Sequence, residues 1–261
     1  MIMKRWGMGL FKFLGMIASI LCTSTCYGQF SLTTPNVAVL ETFDSFEGNG
    51  FQPGGGAGTL DSNSFSLFGL SDGNLPFGGT ATTGDFARGI STGGVTTGGI
   101  YAFDIGGGDI ALGLQAVNEE DFTAGEVTIL VSNDTGVDLS GITVALDGFD
   151  FNDQDFLSVF DFSFSVGGID FTDIFAFSTG GIATNVPSFE STGFSASIGV
   201  PILAGEDFFL RISGDTQLGT GLRDEVAIDN LSFTGLTVVP EPASASFLGL
   251  CGLAVFSRRR R

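Results

Sequence analysis

The densest set of groups able to do chemistry is the run LDGFDFNDQDF at residues 146–156. It carries Asp147, Asp150, Asp153 and Asp155, with Asn152 and Gln154 between them. Hard oxygen ligands at such close spacing could bind Ca²⁺, although the glycine and terminal glutamate of an EF-hand loop are missing. In an acidic chain the same run is also what a solvated loop looks like. A second run, NEED at 118–121, has fewer ligands. Two carboxylates would also suffice for glycoside hydrolysis. The glycine-rich GGGDIALG from Gly106 lacks the spacing and the basic residue of a phosphate-binding loop.

Other chemistries fall away by residue type. The chain has no histidine, so imidazole acid–base work and histidine metal ligation are absent. A serine nucleophile would have no imidazole partner. The three cysteines, Cys22, Cys26 and Cys251, all lie in terminal hydrophobic segments. The one tryptophan is Trp6, and Tyr101 is the one tyrosine away from the N-terminal segment. A sugar-stacking cleft built on indole or phenol faces is therefore not visible. Of the 28 phenylalanines, those at alternating positions are assigned to a core rather than to a sugar platform.

Charge narrows the partners. From Gln29 to Val239 there are 28 acids and three arginines, a net −25, and no lysine follows Lys12. Such a body repels nucleic acid and anionic lipid, and suits salt, divalent cations or a surface that must stay soluble.

The elements that must position these residues are strands. EVTILVS, GITVALDG, FDFSFSV and FFLRIS alternate apolar and polar residues with period two, the pattern of half-buried antiparallel strands. Glycine pairs and NDTG at 133–136 punctuate them as turns. EVAIDNLSF places Val226 and Ile228 in one phase and Leu231 and Phe233 in the other, which predicts a bulge near Asp229-Asn230. No long stretch of the body has helical period. Short strands at turn-spaced intervals predict an all-β chain, a single antiparallel β-sandwich or jelly-roll-like domain over residues 29–237. Its first part, to about Gly99, reads as long loops and edge strands.

The two ends differ from the body. Residues 1–28 have Lys4, Arg5 and Lys12, an apolar run from Phe13 to Cys22, then small and polar residues. That is the order of a secretory signal peptide, expected as a helix cleaved after Gly28. Residues 238–261, VVPEPASASFLGLCGLAVFSRRRR, begin with Pro240-Glu241-Pro242. They continue with 15 apolar and small residues from Ala243 to Ser257, expected as a short hydrophobic helix, and close on Arg258, Arg259, Arg260 and Arg261. The apolar run is short of a stable span. The arginines would hold that end in the cytoplasm as a temporary stop-transfer.

This tripartite end, paired with an export signal, resembles the PEP-CTERM sorting signal of exopolysaccharide-producing Gram-negative bacteria. The resemblance implies that Pro240, Glu241 and Pro242 are recognised by an exosortase, a membrane protease that cleaves near the motif. It further implies transient inner-membrane association, then release to the cell surface or the extracellular matrix. The body is similar in pattern to the uncharacterised region of many such proteins, through GGIYAFDIGGGDIALG, VTILVSNDTGVDLSGITVALDG and LRISGDTQLGTGLRDEVAIDNLSFTG. The function expected on these grounds is non-enzymatic, structural or adhesive, in the extracellular polysaccharide matrix. The alternatives are a Ca²⁺-assisted glycan-binding module and, third, a two-carboxylate hydrolase. Mass spectrometry of the exported protein is expected to show a C-terminus near Pro240–Pro242; an intact Arg261 would refute processing.

Overall fold

The structure, a computed structural model, describes residues 30–117, 121–122, 125–180, 182–215 and 222–238. The expected signal peptide, the sorting signal and their helices lie outside these residues. Among the described residues no helix is long and apolar enough to cross a membrane.

The described residues begin with β1 (Phe30–Leu32) and β2 (Ala38–Glu41). A small parallel pair follows, β3 (Phe46–Gln52) and β4 (Gly58–Asp61), then a hairpin, β5 (Phe65–Leu70) and β6 (Gly73–Leu75). A short 3₁₀ turn at Gly84–Phe86 leads into β7 (Ile90–Ser91) and β8 (Gly99–Gly106). Eight strands complete the fold: β9 (Asp109–Gln115), β10 (Glu126–Asn133), β11 (Gly141–Phe151), β12 (Val159–Val166), β13 (Thr172–Ser178), β14 (Phe189–Ile198), β15 (Asp207–Asp215) and β16 (Glu225–Leu236).

Those last eight pair as a nest, all antiparallel: β9 with β16, β10 with β15, β11 with β14, and β12 with β13. The nest is rolled so that β12 also pairs with β15, and β11 with β16. This is jelly-roll topology, eight strands in two sheets. Sheet A runs β13-β12-β15-β10-β5-β6 and sheet B runs β14-β11-β16-β9-β8-β7. The earlier strands extend the roll. β5 and β1 share the free side of β10, and β9 and β2 share that of β16.

The period-two residues face one another across the sandwich. Val127, Ile129 and Val131 of β10, Phe160, Phe162 and Phe164 of β12, and Phe208, Leu210 and Ile212 of β15 are buried from sheet A. Ile142, Val144 and Leu146 of β11, with Val226, Ile228, Leu231 and Phe233 of β16, are buried from sheet B. Phe233 contacts both Phe30 and Phe208 edge-to-face, at ring separations of 5.4 and 6.0 Å, and so ties the sheets together.

The expected bulge is present. Ala145 pairs with Ser232 but Asp147 pairs with Asp229, so Leu146 alone faces Asn230 and Leu231. Asn230 takes a left-handed φ of 51° and donates from Nδ2 to Oδ2 of Asp147 at 3.0 Å. Asparagine tolerates that conformation better than most residues. The turn at Asn133 is also a lock. Its Nδ2 donates to the carbonyls of Val137, Ile202 and Leu203 at 3.0, 3.2 and 2.9 Å, joining the β10–β11 and β14–β15 turns. Chemical denaturation is expected to show Asn230→Val less stable by about 1–2 kcal/mol, the cost of a β-branched residue in a left-handed turn. Asn230→Gly is expected to lose less; equal losses would remove backbone conformation as the cause.

Candidate functional site

The outer face of sheet A carries an open groove. Its floor follows from strand alternation: with Val127, Ile129 and Val131 turned inward, Glu126, Thr128 and Leu130 of β10 turn out. Cross-strand register sets Thr128 beside Arg211 and Ser66, Leu130 beside Phe209, and Glu126 beside Phe68. One wall is the β12–β13 turn, with Gly167, Gly168, Ile169 and Phe171; the other is Phe77, which follows β6. Gly168 is required here. It has φ 74°, and a Cβ would sit 3.0 Å from the Phe209 ring.

Two adjoining clefts of about 510 and 500 Å³ make up the groove, sharing Ser66, Phe77, Glu126 and Thr128. Phe68 is 55% and Phe77 37% exposed, and Ile169 is 85% exposed. The Phe77 and Phe209 rings lie 6.1 Å apart. Arg211 is fixed from three sides. Its guanidinium lies 4.0 Å from the Phe171 ring centroid and 3.3 Å from Glu126 Oε1, and its Nε donates to Ser163 Oγ at 3.3 Å. The result is a strip of apolar ring faces beside a held cation–carboxylate pair and several hydroxyls. Such a surface suits a ligand with apolar C–H faces and hydroxyl edges. Among the described residues, Glu126 is the one carboxylate that lines the clefts.

The alternating Phe160, Phe162, Phe164 and Phe208 are core as expected, whereas Phe68, Phe77, Phe171 and Phe209, which the sequence reading did not single out, line the groove. Phe208 and Phe209 are adjacent, and strand geometry sends one ring into the core and its neighbour into the groove. Tyr101, by contrast, is 6% exposed. It stacks on Phe103 at 5.2 Å and donates its hydroxyl to the Thr97 carbonyl at 2.8 Å. These two rings, with Phe149 and Phe189, fill the outer face of sheet B around Ala111 and Ala227. A polar cleft of about 620 Å³ between β3–β4 and residues 82–89 has no aromatic lining.

The four aspartates of residues 146–156 do not converge as a set. Asp147 bonds Asn230 on the outer face of sheet B, and Asp155 accepts from the Ala183 N–H at 3.0 Å. Asp150 turns to one end of the sandwich, where Asp224 and Glu225 lie beside it and Asp153. Asp150 accepts from the Gly180 N–H at 2.9 Å, Asp224 from the Gln154 N–H at 2.7 Å, and Glu225 from the Val95 N–H. Among the described residues, the second oxygen of each of these three has no hydrogen-bond donor. Of the NEED run only Asp121 is described, and its carboxylate accepts from the Ser71 N–H at 2.8 Å. Among the described residues no three metal-ligating side chains of the His, Cys, Asp or Glu type come together to hold an ion.

Burial sets the protonation of these acids. It pushes Asp224 up to about 7 and Asp150 up to about 6, with neighbouring acids adding to the effect and backbone N–H groups opposing it. Glu225 is also raised, by burial first and by the adjacent Asp153. On sheet B, burial pushes Asp229 up to about 6, helped by Asp109, Asp44 and Asp147. Sequence reasoning missed Asp224 and Glu225 because they lie some 70 residues from Asp150 along the chain; the pattern RDEV before a strand offered only a hint.

No protein-family model and no curated protein matches this chain. Solved structures resemble it distantly. The adhesin domain of Lys-gingipain from Porphyromonas gingivalis W83 is 10% identical, with a TM-score of 0.41, over 76% of this chain and 98% of that one. The xylan-binding module CBM15 is 9% identical, with a TM-score of 0.37, over 78% and 99%. The N-terminal cellulose-binding domain of Cellulomonas fimi β-1,4-glucanase C is 12% identical, with a TM-score of 0.34, over 79% and 99%.

The raised carboxylates give stability a sign with pH. Each binds its proton more tightly folded than unfolded, so their contribution is fully present below the ordinary carboxylate range near 4 and is lost as pH rises through about 6–7. The melting temperature is expected to climb as pH falls from 8 towards 5. Asp224→Asn should flatten that slope, and a slope unchanged by it would show that general charge repulsion is the cause.

Proposed function

We propose that this protein is an exported, non-catalytic glycan-binding module whose groove on sheet A receives a stretch of polysaccharide. The observation that carries this is the groove itself: exposed Phe68 and Phe77, with Phe209 and Phe171, beside the Arg211–Glu126 pair and the hydroxyls of Ser66 and Thr128. Apolar ring faces take the C–H faces of sugars, and a fixed cation and carboxylate take their hydroxyls as donor and acceptor. The groove is open along the surface, which favours a chain running across it over a small molecule held inside. The chain's lack of histidine removes the commonest acid–base catalyst, and the one lining carboxylate is held by Arg211.

In this reading the N-terminal segment exports the domain. The Pro240-Glu241-Pro242 signal with its arginine tail holds the chain briefly at the inner membrane until an exosortase-type protease releases it. What remains carries a net −25, which keeps it soluble among extracellular polymers. Adhesion to matrix polysaccharide is then the domain's task. None of the groove's contacts requires a metal ion.

Affinity electrophoresis in gels containing matrix polysaccharides is expected to retard the protein. Phe77→Ala and Arg211→Ala should each weaken retardation about tenfold, the scale of one lost ring contact or charged hydrogen bond. Retardation should persist when Ca²⁺ is chelated. Full retention of binding in both variants would exclude this groove.

A further inference from the structure

The edges of the two sheets are not protected alike. Sheet A ends at β6, three residues long, and at β13, which carries Asp173 and a register break opposite Phe162–Ser163. Sheet B ends at β7, two residues long, and at β14. Short strands, charges and bulges are the usual devices that keep an edge from pairing with another chain. β14 is ten residues long, unbroken, and carries a single charge. It pairs with β11 through ten successive residues from Phe189 to Phe151 and Ile198 to Ile142 without a shift. Its sequence, FESTGFSASI, has no proline, no lysine and a single charge, Glu190, near one end. Most of its side chains are exposed, and Ser191, Ser195 and Ser197 are small enough to leave the backbone open.

We propose that β14 is a self-association edge, at which a second copy of this chain pairs antiparallel and makes sheet B continuous across a two-fold axis. Three observations select a second copy. An antiparallel edge is self-complementary about a two-fold axis, so one surface serves both partners. The body bears a net −25, and eight successive uncharged residues, Ser191 to Ile198, give like-charged copies a place to meet. A strand built for a basic partner would instead carry acids here. Finally, the face parity of the strand permits pairing centred on Phe194. Each Glu190 then falls opposite the second copy's Ile198, and the two Glu190 carboxylates stand about 27 Å apart along the ladder. That is beyond the screening length of about 8 Å at physiological ionic strength. The groove on sheet A stays open in this arrangement, so a dimer would present two glycan sites. The proposal does not depend on what that groove binds.

The test uses the protein recovered from outside its own cells. Light scattering across a concentration series is expected to show a mass doubling, and hydrogen exchange of β14 amides should slow as the dimer forms. The double variant Ser191→Lys/Ser195→Lys, folded by circular dichroism, should raise the dimer dissociation constant about tenfold or more. Its β14 amides should exchange as a free edge. A protein that stays monomeric at every concentration overturns the proposal. So does a dimer unaffected by the lysines, which would use another surface, and so does a monomer with protected β14 amides, in which another part of the chain covers the edge.

Discussion

The left-handed turn at Asn230 lets one strand serve two partners on the same side. Before it, Val226–Ile228 pair with β9; after it, Leu231–Thr234 pair with β2. The other side of β16 is held by β11 throughout. Without the extra residue, either Val226 and Ile228 or Leu231 and Phe233 would face outward, since side chains alternate strictly along an unbroken strand. With it, both pairs enter the core, and Phe233 reaches Phe30 and Phe208 on the opposite sheet. The closing pair of the jelly roll, β9 with β16, and the attachment of the N-terminal strands thus meet at one irregular residue.

The same alternation that builds the core also builds the surface groove. Each inward residue of β10 and β15 obliges its neighbour to point out, so a phenylalanine-rich sequence produces aromatic surface as well as aromatic core. Arg211 makes that surface specific. Thr128 and Ser163 are its cross-strand neighbours, Glu126 and Phe171 hold its guanidinium, and the groove gains a fixed charge in a body with few cations. On the opposite sheet the outward rings turn upon themselves instead. Gly113 lets the Phe103 ring lie where a Cβ would be, 2.2 Å away, and Tyr101 stacks beside it. One outer face is filled and the other is open, although both alternate in the same way.

The acids show a second division. Most of them sit at the surface, where they give the body its strong negative charge. Asp150, Asp224 and Glu225 instead crowd one end of the sandwich, where each has one oxygen satisfied by a backbone N–H and one left without a donor among the described residues. Burial penalises the charged form of each, which is why all three titrate above the ordinary carboxylate range.

Sequence alone determined the strands and their inward faces, because period two in EVTILVS, GITVALDG and FDFSFSV follows from local pleat geometry. It determined the bulge as well, because a phase change from Ile228 to Leu231 has no other cheap solution within one strand. The export and sorting signals expected at the two ends rest on sequence order alone, and those segments lie outside the described residues. Tertiary structure decided which phenylalanines are exposed, since Phe208 and Phe209 differ only in which side of sheet A they face. It decided that Asp150 belongs with Asp224 and Glu225 rather than with Asp147 and Asp155, since β11 and β16 become neighbours only when the roll closes. The edge at β14 was also set there. A strand is an edge only by virtue of where the sheet stops, and that depends on all of its neighbours at once.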